Sequence, residues 1–225
     1  MKNIGIVGSG NMGRTIGLNW ASKGYNVFFG HRRQEILDQI KELAGATPIK
    51  TGSNETAVLN SDIILYCIRD IMPSKILERE LWDNKIVIDL NNWANPENFN
   101  FAPVIKSIAE TFQDDISKAH VVKALNNHAQ ETFQLSFEEI KATNAGSFFC
   151  GNNDMANETV EKLISEIGLT PIKSGRLNQA RILESMANLI RLLMKERGIF
   201  ISYALTALPH PTTLKFGARA ASRLK

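Results

Sequence analysis

The sequence predicts an α/β fold with a doubly wound, mostly parallel β-sheet and a C-terminal helical extension. Short apolar runs alternate with longer segments of helical periodicity, which is the arrangement expected of right-handed βαβ units. The runs at 63–68 and 86–88 are apolar without alternation, as in strands that are covered on both faces. The glycine-rich segment Gly8–Gly13 joins the first apolar run to the first helical segment. These observations together predict a sheet with helices on both sides.

Eight strands are predicted from the apolar runs, over residues 3–7, 26–29, 47–50, 62–68, 85–90, 120–125, 147–150 and 169–172. Helices are predicted over residues 12–23, 34–43, 155–167 and 179–197, where apolar residues recur every three or four positions. A further helix is predicted from residue 199 to about residue 208. We therefore expect a nucleotide-binding domain over residues 1–173 and a helical extension over residues 174–225, which packs on that domain or on a partner subunit.

The composition excludes several classes of protein. The chain has 225 residues, of which 44% are hydrophobic and 22% charged, and its net charge of +3 does not demand a nucleic-acid partner. No apolar run reaches the ~18 residues of a membrane span, and the apolar start is too short for a signal peptide. Cys67 and Cys150 lack the spacing of metal ligands or of a disulfide framework. We expect a cytoplasmic protein without a metal, a membrane or a nucleic acid as partner.

The segment Gly8-Ser9-Gly10-Asn11-Met12-Gly13 follows the pattern G-x-G-x-x-G of Rossmann-type dinucleotide sites. Gly8 is expected to allow the tight turn, Gly10 to let the backbone approach a pyrophosphate, and Gly13 to let the helix pack on the strand. The amides at the helix N-terminus would then point at the anion. The alternative is a strand–helix turn without a ligand. Every residue of this segment is a predicted cofactor-binding residue, and the predicted sheet is of the Rossmann type.

The end of the second strand predicts which nucleotide is bound. A cofactor without a 2′-phosphate usually meets Asp or Glu there, but this chain has Gly30-His31-Arg32-Arg33 and no acidic residue. Arg32 or Arg33 would bind a phosphate through charge-assisted hydrogen bonds, the alternative being a solvated basic loop. His31 either adds a hydrogen bond or caps the turn. We predict NADP(H) as the cofactor.

The fourth and fifth strands are expected to end beside the cofactor, because ligands of such sheets lie beyond the carboxyl ends of the strands. Cys67, Ile68 and Arg69 follow the fourth strand, and their backbone is expected to pass the nicotinamide-side ribose and the pyrophosphate. Arg69 either reaches a phosphate or pairs with Asp70. Asn91 follows the fifth strand, where it can hydrogen-bond a ribose or a carboxamide or simply form a turn.

The sixth strand ends in Lys123-Ala124-Leu125-Asn126-Asn127-His128. The spacing Lys-x-x-Asn predicts polar groups beside the nicotinamide, with Asn126 as a cofactor-binding residue and a plain polar loop as the alternative. His128 is the one candidate for acid–base catalysis, and its alternative is a structural hydrogen bond. The sequence contains no Ser-x-x-x-Tyr-x-x-x-Lys pattern, so the catalytic residues are otherwise unassigned.

Segments over most of the chain resemble those of the NADPH-dependent coenzyme F-420 reductases. They are Ile4-Gly5-Ile6-Val7-Gly8-Ser9-Gly10-Asn11-Met12-Gly13, Phe28-Phe29-Gly30-His31-Arg32, and Val121-Val122-Lys123-Ala124-Leu125-Asn126, which is similar to the family's V-K-A-F-N. Gly151-Asn152-Asn153 resembles the family's G-D-D, and Ser174-Gly175-Arg176-Leu177-Asn178-Gln179-Ala180-Arg181-Ile182-Leu183-Glu184 resembles A-G-P-L-x-N-A-R-L-L-E. The oxidoreductase domain of six-transmembrane metalloreductases, which uses flavin, is similar too.

This resemblance implies an enzyme that transfers a hydride between NADP(H) and a flavin or coenzyme F-420-like deazaflavin. It implies that Ser9 to Met12 contact the pyrophosphate and that His31 and Arg32 meet the 2′-phosphate. His31 stands where the family commonly has Ser or Thr. Arg176 stands where the family commonly has Pro, near the expected acceptor pocket, which leaves the acceptor open.

Two alternatives to this function come from the same residues. The glycine-rich start and the long C-terminal helix are also similar to pyrroline-5-carboxylate reductases and hydroxyacid dehydrogenases, which indicates an imine or carbonyl reductase. A non-enzymatic NADP(H) sensor is the other alternative. In each case we expect a small-molecule partner and a homodimer.

Overall fold

The computed structural model describes residues 3–205, which form one eight-stranded sheet and seven α-helices. The strands are β1 (Ile4–Val7), β2 (Val27–Gly30), β3 (Lys50–Gly52), β4 (Ile63–Tyr66), β5 (Ile86–Asp89), β6 (His120–Lys123), β7 (Gly146–Gly151) and β8 (Thr170–Lys173). The helices are α1 (Asn11–Ser22), α2 (Gln34–Ala44), α3 (Asn54–Leu59), α4 (Ile108–Asp115), α5 (Phe137–Ala142), α6 (Asp154–Glu166) and α7 (Ala180–Arg197).

The sheet has the strand order β3-β2-β1-β4-β5-β6-β7-β8. The first six strands are parallel, β7 is antiparallel to β6, and β8 is parallel to β7. The chain therefore reverses its direction of winding between β1 and β4, which is where such sheets bind ligands. The predicted doubly wound, mostly parallel sheet with a C-terminal helix is confirmed.

Apolar side chains cover both faces of the sheet. On one face, Ile16 and Trp20 of α1 pack with Leu163 of α6, and the Trp20 indole Nε1 donates to the Leu163 carbonyl at 3.0 Å. On the other face, Phe112 of α4 and Leu183 of α7 belong to a second buried cluster. Because both faces are covered, a ligand can reach the sheet only at its ends. Sheets of this type bind ligands at the carboxyl ends of their strands. Over residues 3–205, no helix combines the length and the apolar character required to cross a membrane.

The chain leaves α7 in an extended conformation, so the predicted helix from residue 199 is wrong over the described part. Gly198 ends α7 in the left-handed region, with φ of 64°. The following segment runs beside β7, where the Gly146 amide donates to the Tyr203 carbonyl at 2.6 Å. The Tyr203 hydroxyl returns to α7 and donates to the Met186 carbonyl at 3.2 Å. The remainder of the predicted extension, from residue 206, lies outside the described residues, and the boundary at 173/174 stays a prediction.

Three short helices, α3, α4 and α5, were not predicted individually from the apolar pattern. Two of them begin with a capping box, in which Ser107 pairs with Glu110 and Ser136 pairs with Glu139. The pattern Ser-x-x-Glu is a sequence signal for a helix start, and it would have identified both.

Candidate functional site

The glycine loop between β1 and α1 has three glycines in three different environments. Gly8 has φ of 85°, and a Cβ there would lie 2.6 Å from Cγ1 of Ile68. A Cβ on Gly13 would lie 2.7 Å from the Gly8 carbonyl oxygen, so α1 can approach the loop closely only with glycine at this position. A Cβ on Gly10 would meet no atom within 4 Å. The loop is therefore closed by Gly8 and Gly13 and open to a ligand at Gly10.

The N-terminus of α1 provides unpaired donors at this opening. Gly10 caps the helix without a side-chain hydrogen bond, and the Arg14 amide makes the first intrahelical bond, to the Gly10 carbonyl at 2.9 Å. The amides of Asn11 to Gly13 precede that bond and so have no acceptor in the helix. The first turn holds no acidic residue. Free amides and the helix dipole together fit a pyrophosphate.

Ser9 faces the protein interior. Its amide and its hydroxyl both donate to the Gly30 carbonyl, each at 3.0 Å, and the side chain is buried. The Gly8 amide donates to Asn54 Oδ1 at 3.0 Å, so the start of α3 holds the loop from the other side. These bonds fix the shape of the loop. Asn54 was not predicted as a site residue, because the sequence around it indicates only a turn.

The tip of β2 carries the predicted phosphate-binding residues. His31 Nδ1 accepts the Arg33 amide at 3.1 Å, so the imidazole caps this turn, and burial together with the neighbouring arginines holds its pKa below the ordinary value. Arg33 Nε lies 3.7 Å from a Glu35 carboxylate oxygen. Arg32 is exposed and has no ion pair within residues 3–205. Arg32 is thus the guanidinium at this tip that remains available to a 2′-phosphate.

A cleft of about 500 Å³ extends from the glycine loop along the carboxyl ends of β4, β5 and β6 to α7. Besides the loop glycines, Asn11 and Met12, its lining consists of Cys67, Arg69, Leu90, Asn91, Asn92, Leu125, Asn126, Asn127, His128, Ala129, Gln130, Ala187, Ile190, Arg191 and Met194. Most of the predicted cofactor residues therefore share one cleft, although Ser9 and Ile68 lie behind it and His31 to Arg33 lie beyond its end. The α7 side chains in the lining were not predicted.

Asparagine side chains after β5 and β6 are locked together at the floor of the cleft. Asn91 Nδ2 donates to Asp89 Oδ1 at 3.0 Å and to the Tyr66 carbonyl at 3.1 Å. Asn92 and Asn126 are bonded to each other twice, at 2.7 and 2.8 Å. The Oδ1 atom of Asn126 is buried without a partner among the described residues. An unpaired acceptor of this kind can receive a hydrogen bond from an amide group of a ligand, and the carboxamide of the nicotinamide is such a group.

His128 lines the cleft as a buried, neutral side chain. It is 8% exposed, and burial lowers its pKa to about 4. The ring packs edge-on against Phe133, and its Nδ1 lies 3.5 Å from the Ser202 hydroxyl. At neutral pH the imidazole is therefore unprotonated. An unprotonated histidine is poorly suited to donate a proton as a general acid.

Lys123 does not reach the cleft, contrary to the expectation from its place in Lys-x-x-Asn. Its ammonium is fully buried and lies 2.8 Å from Asp89 Oδ2 and 2.8 Å from Glu184 Oε1 of α7. Burial lowers the pKa of Lys123, but the two carboxylates more than offset this and hold it above its ordinary value. Glu184 Oε1 also accepts the Ile108 amide, at 2.9 Å. This triad of Lys123, Asp89 and Glu184 fastens α7 to the sheet.

Arg176 is not near the cleft, so the expectation that it lies by the acceptor pocket is wrong. It follows β8, whose carboxyl end points away from the cleft because β7 reverses the strand direction. Two other residues, from segments that resemble the family, have structural roles in this part of the molecule. Asn152 Oδ1 accepts the Leu177 amide, and Asn153 caps α6.

The fold is a Rossmann-type fold, and the cleft at its carboxyl edge has the glycine loop and the position of a dinucleotide site. The model of the family described as "NADP oxidoreductase coenzyme F420-dependent" matches residues 3–93, which confirms the resemblance seen in the sequence. This match covers the glycine loop, the β2 tip and the segments after β4 and β5.

Known proteins extend this similarity beyond residue 93. The chain is 26% identical over 196 residues to human metalloreductase STEAP2, covering 87% of this chain and 37% of that protein. It spans little more than a third of these curated relatives, the rat metalloreductase STEAP3 included. A structure described as an F420-dependent NADP reductase from Arthrobacter sp. FB24 has a TM-score of 0.75 at 19% identity, covering 92% of this chain and all of that one. An imine reductase from Myxococcus stipitatus in complex with NADP⁺ has a TM-score of 0.64 at 15% identity, covering 88% and 63%.

Proposed function

We propose that this protein transfers a hydride between NADPH and the ring of a flavin or deazaflavin acceptor. The observation that carries the proposal is that the half of the cleft away from the glycine loop is lined by amides, apolar side chains, two arginines and a neutral histidine, none of which is a ready proton donor near neutral pH. Reduction of a carbonyl or imine usually needs a proton donor at the reacting atom, whereas a flavin-type ring needs mainly stacking and distance. The relatives named for F420-dependent reduction support the same class of acceptor.

The protein's part in this reaction is binding and positioning. The α1 N-terminus and the Gly10 opening would hold the pyrophosphate, and Arg32 would hold the 2′-phosphate. Asn91 and Asn126 would orient the nicotinamide. When bound, NADPH would supply a hydride, which is two electrons and a proton, and become NADP⁺, and the acceptor ring would take up that hydride and one proton from solvent.

The quaternary structure belongs to this proposal as well. Ile182, Met186, Leu189 and Leu193 are spaced four, three and four apart on α7, and Ile182 and Leu189 are 56% and 47% exposed. This is the spacing at which two helices pack side by side. We propose a homodimer in which two α7 helices meet. We also propose a cytoplasmic location, which the two free cysteines support.

The test is steady-state NADPH oxidation with FMN, a deazaflavin, and a panel of carbonyl and imine acceptors. We expect turnover with the ring acceptors, and the His128→Ala variant to retain most of it. A reaction that depended on His128 as general acid would lose ~10²–10⁴-fold. Carbonyl or imine reduction that collapses in the variant, with no ring acceptor reduced by the parent, would establish the imine or carbonyl reductase instead. Tight NADPH binding without any turnover would indicate a sensor.

A further inference from the structure

The charged groups of the cleft lining are of one sign. Arg69, after β4, and Arg191, on α7, line the cleft, and no Asp or Glu does so within the described residues. Burial lowers the pKa of Arg191, and Arg69 adds to this effect while Glu184 partly opposes it. Two positive groups therefore share one cleft of about 500 Å³. Arg69 is exposed and Arg191 is half-buried, and an anion bound between these two positive groups would be attracted by both.

Arg191 is held in position without being neutralised. Its Nη1 donates to the Trp93 carbonyl at 2.8 Å and to Asn188 Oδ1 at 3.3 Å, both of which are uncharged acceptors. Its Nε and Nη2 have no hydrogen-bond partner between residues 3 and 205. The carboxylate of Glu184, two turns earlier on the same helix face, is bonded to Lys123 instead. A fixed guanidinium with free donors is suited to a planar oxyanion or a phosphate.

The position of Arg191 separates it from the phosphates of NADPH. The 2′-phosphate is expected at the β2 tip and the pyrophosphate at the start of α1. Trp93, to which Arg191 is bonded, follows β5, and the strand order places β5 and β2 on opposite sides of β1. Arg191 therefore lies on the nicotinamide side of the cleft, where the second substrate must approach.

We propose that the ring acceptor carries a phosphate and that Arg191, assisted by Arg69, binds it. This inference rests on the proposed function, because it specifies the acceptor of that same cleft. The phosphate would stabilise the two guanidinium groups, and the ring would be directed toward the nicotinamide. Arg191 is accordingly a specificity-determining residue.

FMN and riboflavin test this inference, because they share one ring system and differ by one phosphate. With saturating NADPH, we expect the parent protein to have a KM for FMN about 10- to 100-fold below that for riboflavin, the range of one charge-assisted interaction. Arg191→Met should raise the KM for FMN to that for riboflavin and leave the riboflavin KM and the NADPH affinity unchanged. Arg191→Lys should restore part of the preference. Arg197→Met, on the same helix but outside the cleft lining, is the matched control and should behave as the parent.

The same pair of ligands is then titrated by flavin fluorescence in the presence of NADP⁺, so that binding is measured without turnover. Preferential, Arg191-dependent binding of FMN in a protein that does not reduce it would overturn the proposed function and leave the phosphate site standing. Equal affinity for FMN and riboflavin in the parent would overturn the inference. A similar rise of both KM values in Arg191→Met would overturn it too, since that result indicates a structural role for the Trp93 contact.

Discussion

The three glycines of the loop between β1 and α1 have different neighbours, so substitutions at them should impair either nucleotide binding or stability, depending on the position. Gly10→Val places a side chain where the structure has open space, and that space is the proposed approach to the pyrophosphate. We expect a folded protein with parental thermal stability that no longer binds NADPH. Gly13→Val is the comparison, because its side chain would meet the Gly8 carbonyl and Ile6, and it should lower stability. A Gly10→Val protein that titrates with NADPH like the parent would exclude this loop as the site.

Arg32 and Arg33 are neighbours in sequence but differ in what they can bind. Arg33 already faces Glu35, whereas Arg32 has no ion pair among the described residues. Arg32→Ala should weaken NADPH binding by about 1.5–3 kcal/mol and spare NADH, because only NADPH carries the 2′-phosphate. Arg33→Ala should have a smaller effect. Titrations of both nucleotides check this, and equal affinity of the parent for NADH and NADPH would contradict it.

The burial of His128 predicts a pH dependence of stability. Its native pKa of about 4 lies below the ordinary value of 6.5, so between these two values the unfolded chain binds a proton that the native protein does not. Stability should therefore fall as the pH drops from about 6.5 to about 4, by up to ~3 kcal/mol from this group. Urea unfolding at several pH values measures this, and His128→Gln should remove that part of the fall. Parallel stability curves for parent and variant across this range would contradict the prediction.

At the scale of elements, α7 depends on a buried ionic contact with the sheet. Lys123→Met would leave Asp89 and Glu184 facing each other without a counter-ion, which typically costs about 3–5 kcal/mol. Glu184→Gln retains an acceptor for the Ile108 amide and leaves the Lys123–Asp89 pair intact, so it should cost less. Urea unfolding of the two variants tests the order of these effects. A smaller loss of unfolding free energy for Lys123→Met than for Glu184→Gln would show that the triad is not ionised as described.

The elements also show which features could be predicted from the sequence. Seven of the eight strands were predicted close to their positions because their apolar runs are signals contained in a few consecutive residues, and the glycine loop was predicted for the same reason. The third strand was predicted at residues 47–50 but lies at Lys50–Gly52, where the residues are not apolar. The location of Lys123 was missed because its partner Glu184 is 61 positions further on, and no local pattern reports such a pairing. The direction of β7 was missed as well, since an apolar strand has the same composition in either direction. That reversal is what places Arg176 away from the cleft.

At the scale of the whole molecule, the outward face of α7 predicts the oligomeric state. Leu189→Glu places a charge in the centre of the exposed apolar stripe and should convert the expected homodimer to a monomer. Leu135→Glu is the control, because Leu135 is similarly exposed, at 42%, but lies outside α7. Light scattering on a size-exclusion column measures both masses. A parent protein that elutes as a monomer would contradict the proposal.

The chain builds the two halves of its cleft from separate stretches of sequence. The loop, the β2 tip and the segments after β4 and β5 lie within residues 3–93, whereas the segment after β6 and the α7 wall come from residues 124–194. Under the proposed function, substitutions in the later stretch would change the acceptor site and leave the nucleotide site intact. A substitution on α7 can therefore reshape one end of the cleft without disturbing the loop that opens at the other end.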